Sequence, residues 1–170
     1  MIAIALLGAF LIWLLFIKGG EDDSNAPAPA HKTVEVVSAG ELLGAMAGVG
    51  YPVFWVGAED GVAYEVTRIA DGRTYVRYLP AGSEAESKEP FLTVGSYFIN
   101  DAYGVTSRQA ERSGASSFSL QGNGIALPNG DDPRSVYVAY PDIDVQIEVY
   151  DPAPGRALGL VRSGALTPIG

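Results

Sequence analysis

VAYEVTRIADGRTYVRYLP, residues 62–80, carries the clearest local signal of secondary structure in this chain. Two runs rich in β-branched and aromatic residues flank the dipeptide Asp71-Gly72. This dipeptide is typical of a two-residue type I′ turn between antiparallel strands. The stretch therefore predicts a β-hairpin, and the rest of the chain is interpreted around it.

A two-residue turn would fix the register of this hairpin. Arg68 then faces Tyr75, and Val66 faces Arg77 on the same side of the sheet. Arg68, Tyr75 and Arg77 would form a cationic, aromatic patch, to which Trp55 of a neighbouring strand can add. Such a patch is a candidate binding site for an anionic ligand or a glycan. The alternative is a solvated sheet face on which arginine side chains lie over aromatic rings.

Short strand patterns continue on both sides of the hairpin. They cover residues 33–37, 51–57, 91–98, 135–140 and 143–150. A capping box at Ser38 and Glu41 predicts a helix between the first two, so that residues 33–56 are interpreted as a β-α-β unit. Many short, adjacent strands with few helices predict an α+β fold, in which a mostly antiparallel sheet carries two or three short helices.

The helices are expected to bury one face each. Asp151 is predicted to cap the last helix, in which Leu158 and Val161 point inward, whereas residues 101–112 fit either a helix or a loop. All these elements are assigned to a single globular domain, residues 32–170. The inward residues of the helix after Ser38 are expected to be Leu42, Leu43, Met46 and Val49.

The N-terminal residues 1–18, MIAIALLGAFLIWLLFIK, are interpreted as one transmembrane anchor, with residues 2–17 in the membrane. No charged side chain precedes Lys18, and a helix of about 17 residues spans roughly 25 Å of the ~30 Å hydrocarbon core. A cleaved signal peptide is the main alternative, but no basic residue precedes the apolar run and the small residues 28–30 lie far downstream. A buried helix of the domain is the least favoured alternative, because a helix that is apolar on every face would have to be surrounded by protein.

Residues 19–31, GGEDDSNAPAPAH, are predicted to be a flexible acidic linker that its Ala-Pro repeats keep extended. The chain is therefore expected to be a single-pass protein of the cell membrane. We expect the N-terminus inside and the domain in the extracytoplasmic space. Lys18 taken alone would favour the reverse orientation.

Charge and composition argue against several classes of function. The formal net charge of -9 argues against binding to nucleic acid. The chain has no cysteine, which excludes disulfides and thiolate chemistry. The one histidine, His31, lies in the linker, so the domain lacks the histidine dyads of hydrolases and nearly all zinc sites. No cofactor is predicted, and an enzyme is the less favoured class.

Carboxylates are the chemistry that remains. Asp142, Asp144 and Glu148 are candidate metal ligands, and paired carboxylates would also suit a hydrolase. These residues alternate with apolar ones, as in an antiparallel strand that has one solvated face. They also lack the spacing of a calcium-binding loop. A solvated strand face is therefore the favoured interpretation.

Six segments, which span most of residues 31–152, resemble a known family. They are HKTVEVVSAGEL, YPVFWVG, AYEVTR, DGRTYVRYLPAG, FLTVGSY and VQIEVYDP. In them the chain resembles an uncharacterised family of membrane-anchored single-domain proteins of high-GC Gram-positive bacteria. The resemblance implies an N-terminal membrane segment followed by one compact domain. It implies no activity, so no functional residue is carried over.

Three functions are consistent with these features. The favoured one is a protein-interaction or accessory module of the cell envelope, bound to another envelope protein. The first alternative is a sensor or carrier of a small anionic or glycan ligand. The second alternative is a carboxylate-dependent hydrolase.

Overall fold

The computed structural model describes residues 31–113, 116–129 and 134–170. The predicted transmembrane anchor, residues 1–18, and the linker up to residue 30 lie outside these ranges. Within the described part of the chain, no helix has the length and the apolar character needed to cross a membrane.

Ten strands and three α-helices make up the described part of the chain. The strands are β1 (Lys32–Val37), β2 (Phe54–Trp55), β3 (Val62–Ile69), β4 (Arg73–Pro80), β5 (Thr93–Phe98), β6 (Phe118–Ser119), β7 (Ile125–Pro128), β8 (Ser135–Ala139), β9 (Val145–Tyr150) and β10 (Thr167–Pro168). The helices are α1 (Leu42–Ala45), α2 (Ala102–Ser113) and α3 (Arg156–Arg162), and short 3₁₀ turns lie at Ala39–Glu41 and Gln121–Asn123.

Eight of the strands form one sheet in the order β1-β3-β4-β5-β9-β8-β7-β6, and every neighbouring pair is antiparallel. The sheet consists of two meanders. The first runs from β1 through β3 and β4 to β5, and the second runs from β6 to β9. The pairing of β5 with β9 joins them in the middle of the sheet. The prediction of an α+β fold with a mostly antiparallel sheet is confirmed.

One face of the sheet carries the main hydrophobic core and is called the core face below. A row of valines crosses five neighbouring strands in register, and each is fully buried: Val66, Val76, Val94, Val149 and Val136. Leu42, Val53 and Val161 belong to the same cluster, so that α1, the segment before β2 and α3 cover this face. The burial of β-branched side chains on neighbouring strands is what stabilises the sheet.

The opposite face, called the polar face below, is covered by two separate elements. Helix α2 packs against β7, β8 and β9. Its inner side carries the buried residues Ala102, Thr106 and Ala110, whose small size lets the helix lie close to the sheet. The second element is the loop of residues 81–90, called the acidic loop below, which lies over β3 and β4 and is held there by contacts described in the next subsection.

Around α1, the predicted capping box is confirmed, but the predicted burial of Leu43 and the predicted β-α-β unit are wrong. The Ser38 backbone N–H donates to Glu41 Oε2 at 2.9 Å, as the predicted capping box requires. Leu43 was expected to point inward, but it is 62% exposed because the buried side of this single turn runs through Leu42 and Ala45. The predicted β-α-β unit is also wrong: β2 lies outside the large sheet and pairs with β10, while β1 pairs with β3.

The last helix begins later than the position of Asp151 predicted. It starts at Arg156 and is preceded by Gly155. Asp151 is buried, accepts a hydrogen bond from the Ala153 N–H at 2.8 Å and pairs with Arg156 at 3.2 Å. Its carboxylate therefore holds the turn that precedes the helix. Val161 points inward as predicted.

Candidate functional site

The hairpin of residues 62–80 forms, but its register differs by one residue from the prediction. Ile69 pairs with Arg73, so the loop has three residues rather than two, and Gly72 takes a left-handed conformation with φ +88°. This is the conformation of a three-residue hairpin loop that ends in a glycine bulge. A slip of one residue moves a strand's side chains to the other face. Arg68 consequently pairs with Thr74 and not with Tyr75.

The slip separates the four residues predicted to bind a ligand. Arg68 lies on the core-face side, where it pairs with Glu35 at 3.0 Å. Trp55 also packs on that side, edge-to-face against the Tyr64 ring with centroids 5.9 Å apart. Tyr75 and Arg77 lie on the polar face. The structure therefore does not bring the four side chains together into one patch.

Arg77 fastens the acidic loop to the sheet. Its guanidinium donates to Glu65 Oε1 at 3.1 Å and to the carbonyl oxygens of Ser87 and Glu89, each at 2.6 Å. It also lies 5.1 Å from the centre of the Phe91 ring. The side chains of Arg77 and Glu65 are only 11% and 5% exposed. The Glu65 carboxylate also accepts the Glu86 N–H. The Arg77 guanidinium therefore bonds to groups of the fold, and few of its N–H donors remain for an anionic ligand.

Tyr75 belongs to a network of hydroxyl groups around Glu148, called the tyrosine–glutamate network below. The Tyr97 hydroxyl donates to Glu148 Oε2 at 2.7 Å, and Ser135 Oγ donates to Glu148 Oε1 at 2.8 Å. The Tyr137 hydroxyl contacts the same carboxylate. Tyr75 packs edge-to-face against Tyr97, with centroids 5.7 Å apart. The network crosses β4, β5, β9 and β8 on the polar face.

The environment keeps these phenols protonated. Burial raises the pKa of Tyr97 well above its ordinary value, and the nearby Glu148 charge raises it further. Burial and the same carboxylate also raise the pKa of Tyr137. The protonated phenols of Tyr97 and Tyr137 and the Ser135 hydroxyl donate to the Glu148 carboxylate. These bonds join side chains of neighbouring strands and so stabilise the sheet, and they engage three of the roughly four acceptor sites of the carboxylate.

The three carboxylates considered as metal ligands have separate roles. Asp142 is exposed in a turn with φ +61°, and Asp144 Oδ1 accepts the Asp101 N–H at 2.9 Å. Glu148 lies in the tyrosine–glutamate network. Across the described ranges, no group of three or more His, Asp or Glu side chains is placed to hold a metal ion.

The expectation that this strand has a solvated polar face is also wrong. Gln146 is fully buried, because α2 covers it and Thr106 Oγ1 accepts a hydrogen bond from its Nε2 at 2.8 Å. The sequence left residues 101–112 open between helix and loop, and it is this helix that excludes water from the strand.

Strand β1 forms one edge of the large sheet and pairs only with β3 among the described residues. The Ala70 N–H donates to the His31 carbonyl at 3.0 Å. His31 therefore directs its backbone groups toward the neighbouring strand, as does every second residue after it. In an antiparallel pair, alternate residues direct both backbone groups to the same side. The N–H and C=O groups of Lys32, Val34 and Val36 therefore point away from β3 and are open to another strand.

A groove lies beside the outer end of β1, on the polar face, and is called the β1 groove below. It has a volume of about 380 Å³ and is lined by Val36, Ala63, Leu79, Pro80 and the first part of the acidic loop. Val36 is 46% exposed. The exposed Glu84 lies between two groove residues, Ser83 and Ala85. The open edge therefore adjoins a groove that is lined mostly by small and apolar residues.

Comparisons with protein-family models, with curated proteins and with solved structures gave no match to this chain. The resemblance to a family of membrane-anchored bacterial proteins stays a prediction.

Proposed function

We propose that this protein is a single-pass, membrane-anchored interaction module of the cell envelope, whose extracytoplasmic domain binds an extended protein strand at β1. The observation that carries the proposal is the open backbone of Lys32, Val34 and Val36 beside the β1 groove. The family resemblance and the apolar N-terminal segment support the location.

The geometry suits recognition by strand addition. A strand that pairs with β1 gains main-chain hydrogen bonds, and these supply affinity without regard to sequence. Alternate side chains of the added strand lie on the polar face, where the β1 groove can receive an apolar one. Natural proteins usually protect an edge with charged side chains, a proline, a bulge or a covering element, because an open edge pairs readily, and of these devices β1 has only the charges of Lys32 and Glu35. Within the described residues, β1 has no proline, and six consecutive residues pair with β3 in unbroken register.

The two alternative functions receive less support from the contacts. A sensor of anionic ligands built on Arg77 would have to release the acidic loop, because this guanidinium holds two of its carbonyls. A hydrolase built on Glu148 would need a second carboxylate at a shared pocket, whereas Glu148 meets the hydroxyl groups of Tyr97 and Ser135. A binding module requires neither change.

The proposal is tested with the full-length chain in its own membrane. A photo-reactive amino acid replaces Val36 in one variant and Leu43 in another; both positions are exposed, but only Val36 lies on the β1 edge. We expect a discrete cross-linked adduct from position 36 and none from position 43. Val34→Pro should abolish the adduct, because it removes an outward N–H without breaking a bond to β3. Val34→Ala, which keeps that N–H, should retain it.

Two results would overturn the proposal. The first is an adduct at position 36 that survives Val34→Pro, because strand pairing would then not be the cause. The second is recovery of the full-length chain in the soluble fraction after high-speed centrifugation, because a retained anchor would then be ruled out.

A further inference from the structure

The strand that fits the β1 edge best is β1 itself. We infer that two copies of this chain pair through β1 in an antiparallel manner, with the two-fold axis passing between the two Val34 residues. This inference rests on the proposed function, because it names the partner of the same edge. It joins the two large sheets into one continuous sheet.

The alternation of β1 restricts the registers that a symmetric pair can adopt. Outward-directed residues must face outward-directed residues for their N–H and C=O groups to bond. A two-fold axis at Val34 satisfies this rule, since it places Val34 opposite Val34 and Lys32 opposite Val36 of the second copy. Thr33 then faces Glu35, so no two like charges are opposed, and nearly the whole strand takes part.

The neighbouring registers are less favourable. A two-fold axis at Glu35 places two carboxylates directly opposite each other, which is destabilising for a cross-strand pair. A two-fold axis at Thr33 uses only residues 32–34 of each strand, because the pairing runs off the beginning of β1. The sequence KTVEVV therefore pairs with itself most favourably in the register that has the two-fold axis at Val34.

Charge complementarity supports the same register. Residues that face each other across strands point to the same side of the sheet, so Lys32 of the second copy lies on the polar face beside Val36. The β1 groove begins at Val36 and is also lined by Ser83 and Ala85, the chain neighbours of Glu84. Lys32 has a side chain that is 47% exposed and already pairs with Glu86 of its own acidic loop. In the dimer its ammonium group approaches the acidic loops of both copies.

The length of chain before β1 is compatible with two anchors in one membrane. Antiparallel pairing places the two Lys32 residues, at which β1 begins, about 14 Å apart, at about 3.4 Å per residue. The linker, residues 19–31, reaches up to about 40 Å when extended. Two chains anchored in the same bilayer can therefore meet edge to edge, and confinement to a membrane raises their effective concentration.

The chain has no cysteine, so single cysteine variants of the full-length protein report the register directly. In the inferred dimer, residues at position 34 lie about 5.5 Å apart between Cα atoms, a separation that a disulfide can bridge. We expect Val34→Cys to form a disulfide-linked dimer in membranes under mild oxidation. Val36→Cys alone should not, because its two copies lie about 14 Å apart at about 3.4 Å per residue.

A mixture gives the decisive control. Lys32→Cys and Val36→Cys, each unable to cross-link to itself, should form a disulfide when the two variants are co-expressed, since position 32 faces position 36. Circular dichroism of each variant confirms that it folds. Cross-linking of Val36→Cys without Val34→Cys would overturn the inferred register.

The outcomes separate this inference from the proposed function. If no cysteine variant cross-links while the photo-reactive residue at position 36 still gives an adduct that Val34→Pro abolishes, self-pairing is wrong and β1 binds a different protein. If neither experiment gives an adduct, both the dimer and the interaction module are wrong.

Discussion

Tyr97 lies directly over Gly95, two residues earlier on the same strand. A Cβ atom built on Gly95 would lie 2.5 Å from the Tyr97 hydroxyl oxygen and 2.7 Å from Cζ. The missing side chain therefore provides the space in which the Tyr97 ring turns across β5 to reach Glu148 on β9. Glycine is used here for a close approach and not for a special backbone conformation.

We expect Gly95→Ala to lower the free energy of unfolding by about 1–3 kcal/mol, because the methyl group displaces the Tyr97 ring from a packed position. Urea unfolding of the full-length chain in mild detergent, followed by circular dichroism, measures this effect. Gly159→Ala is the control, since nothing lies within 4 Å of its Cβ position in α3. That change should stabilise the protein by about 0.5–1 kcal/mol. Equal effects at both sites would contradict the role of Gly95.

Loss of Arg77 is expected to be far more costly than loss of Arg68. Arg77→Met leaves the buried Glu65 carboxylate without its counter-charge, which typically costs about 3–5 kcal/mol. Arg68→Met breaks the pair with Glu35, whose side chains are 34% and 39% exposed, and should cost no more than about 1 kcal/mol. Limited proteolysis should also show faster cleavage within residues 81–90 in Arg77→Met alone. Similar stabilities of the two variants would refute the fastening of the acidic loop.

Alkaline pH is expected to destabilise the fold through the tyrosine–glutamate network. An ordinary tyrosine has a pKa of 10.0, and burial raises the pKa of Tyr97 well above this value. Above pH 10 the unfolded chain therefore releases protons that the folded chain retains, so the free energy of unfolding falls as the pH rises toward the folded pKa. The stabilisation is fully present below pH 10.

Tyr97→Phe is the matched variant for this test. It should lower stability at neutral pH, because Glu148 loses a donor, and should also reduce the decline above pH 10. The difference in tyrosinate absorbance between wild type and variant isolates the ionisation of Tyr97. Ionisation at pH 10 with the circular dichroism spectrum unchanged would show that the hydroxyl is not buried as described.

Gly72 and Gly82 have the same left-handed backbone conformation but different surroundings. Alanine substitutions at the two sites therefore separate the cost of backbone strain from the cost of a steric clash. Gly72 and Gly82 both have φ +88°, but a Cβ on Gly72 would lie 3.1 Å from Phe98 Cβ, whereas nothing lies within 4 Å at Gly82. Alanine at either site costs about 1–2 kcal/mol for the left-handed conformation. We therefore expect Gly72→Ala to be the more destabilising in the same urea assay. A larger loss at Gly82 would mean that the hairpin loop differs from the one described.

The hairpin shows how far the sequence alone can specify such a site. Alternation of β-branched residues and the dipeptide Asp71-Gly72 were sufficient to predict two paired strands. They were not sufficient to choose between a two-residue and a three-residue loop, since glycine suits the last position of both. That choice decides the face on which Arg68 lies, and so a difference of one residue removed it from the predicted patch.

Burial on the polar face was harder to predict for a different reason. Glu148 and Gln146 follow the polar positions of an amphipathic strand, and such a pattern normally indicates solvent. The covering helix α2 buries only the small side chains of Ala102, Thr106 and Ala110, so its sequence has no stripe of large apolar residues to indicate that it packs against a sheet. The tyrosines at positions 97 and 137 were the available signal, because aromatic side chains opposite a polar strand can bury it.

The meander topology has a consequence for biosynthesis. Until β9 has been synthesised, β5 pairs on one side only, with β4. During that time the first half of the chain exposes a second unpaired strand edge, in addition to that of β1. The eight-stranded sheet is complete only after the ribosome has passed Tyr150, the last residue of β9. A nascent chain of this protein therefore exposes an edge of β5 until β9 has been synthesised, and a factor that covers β5 until then would reduce mispairing.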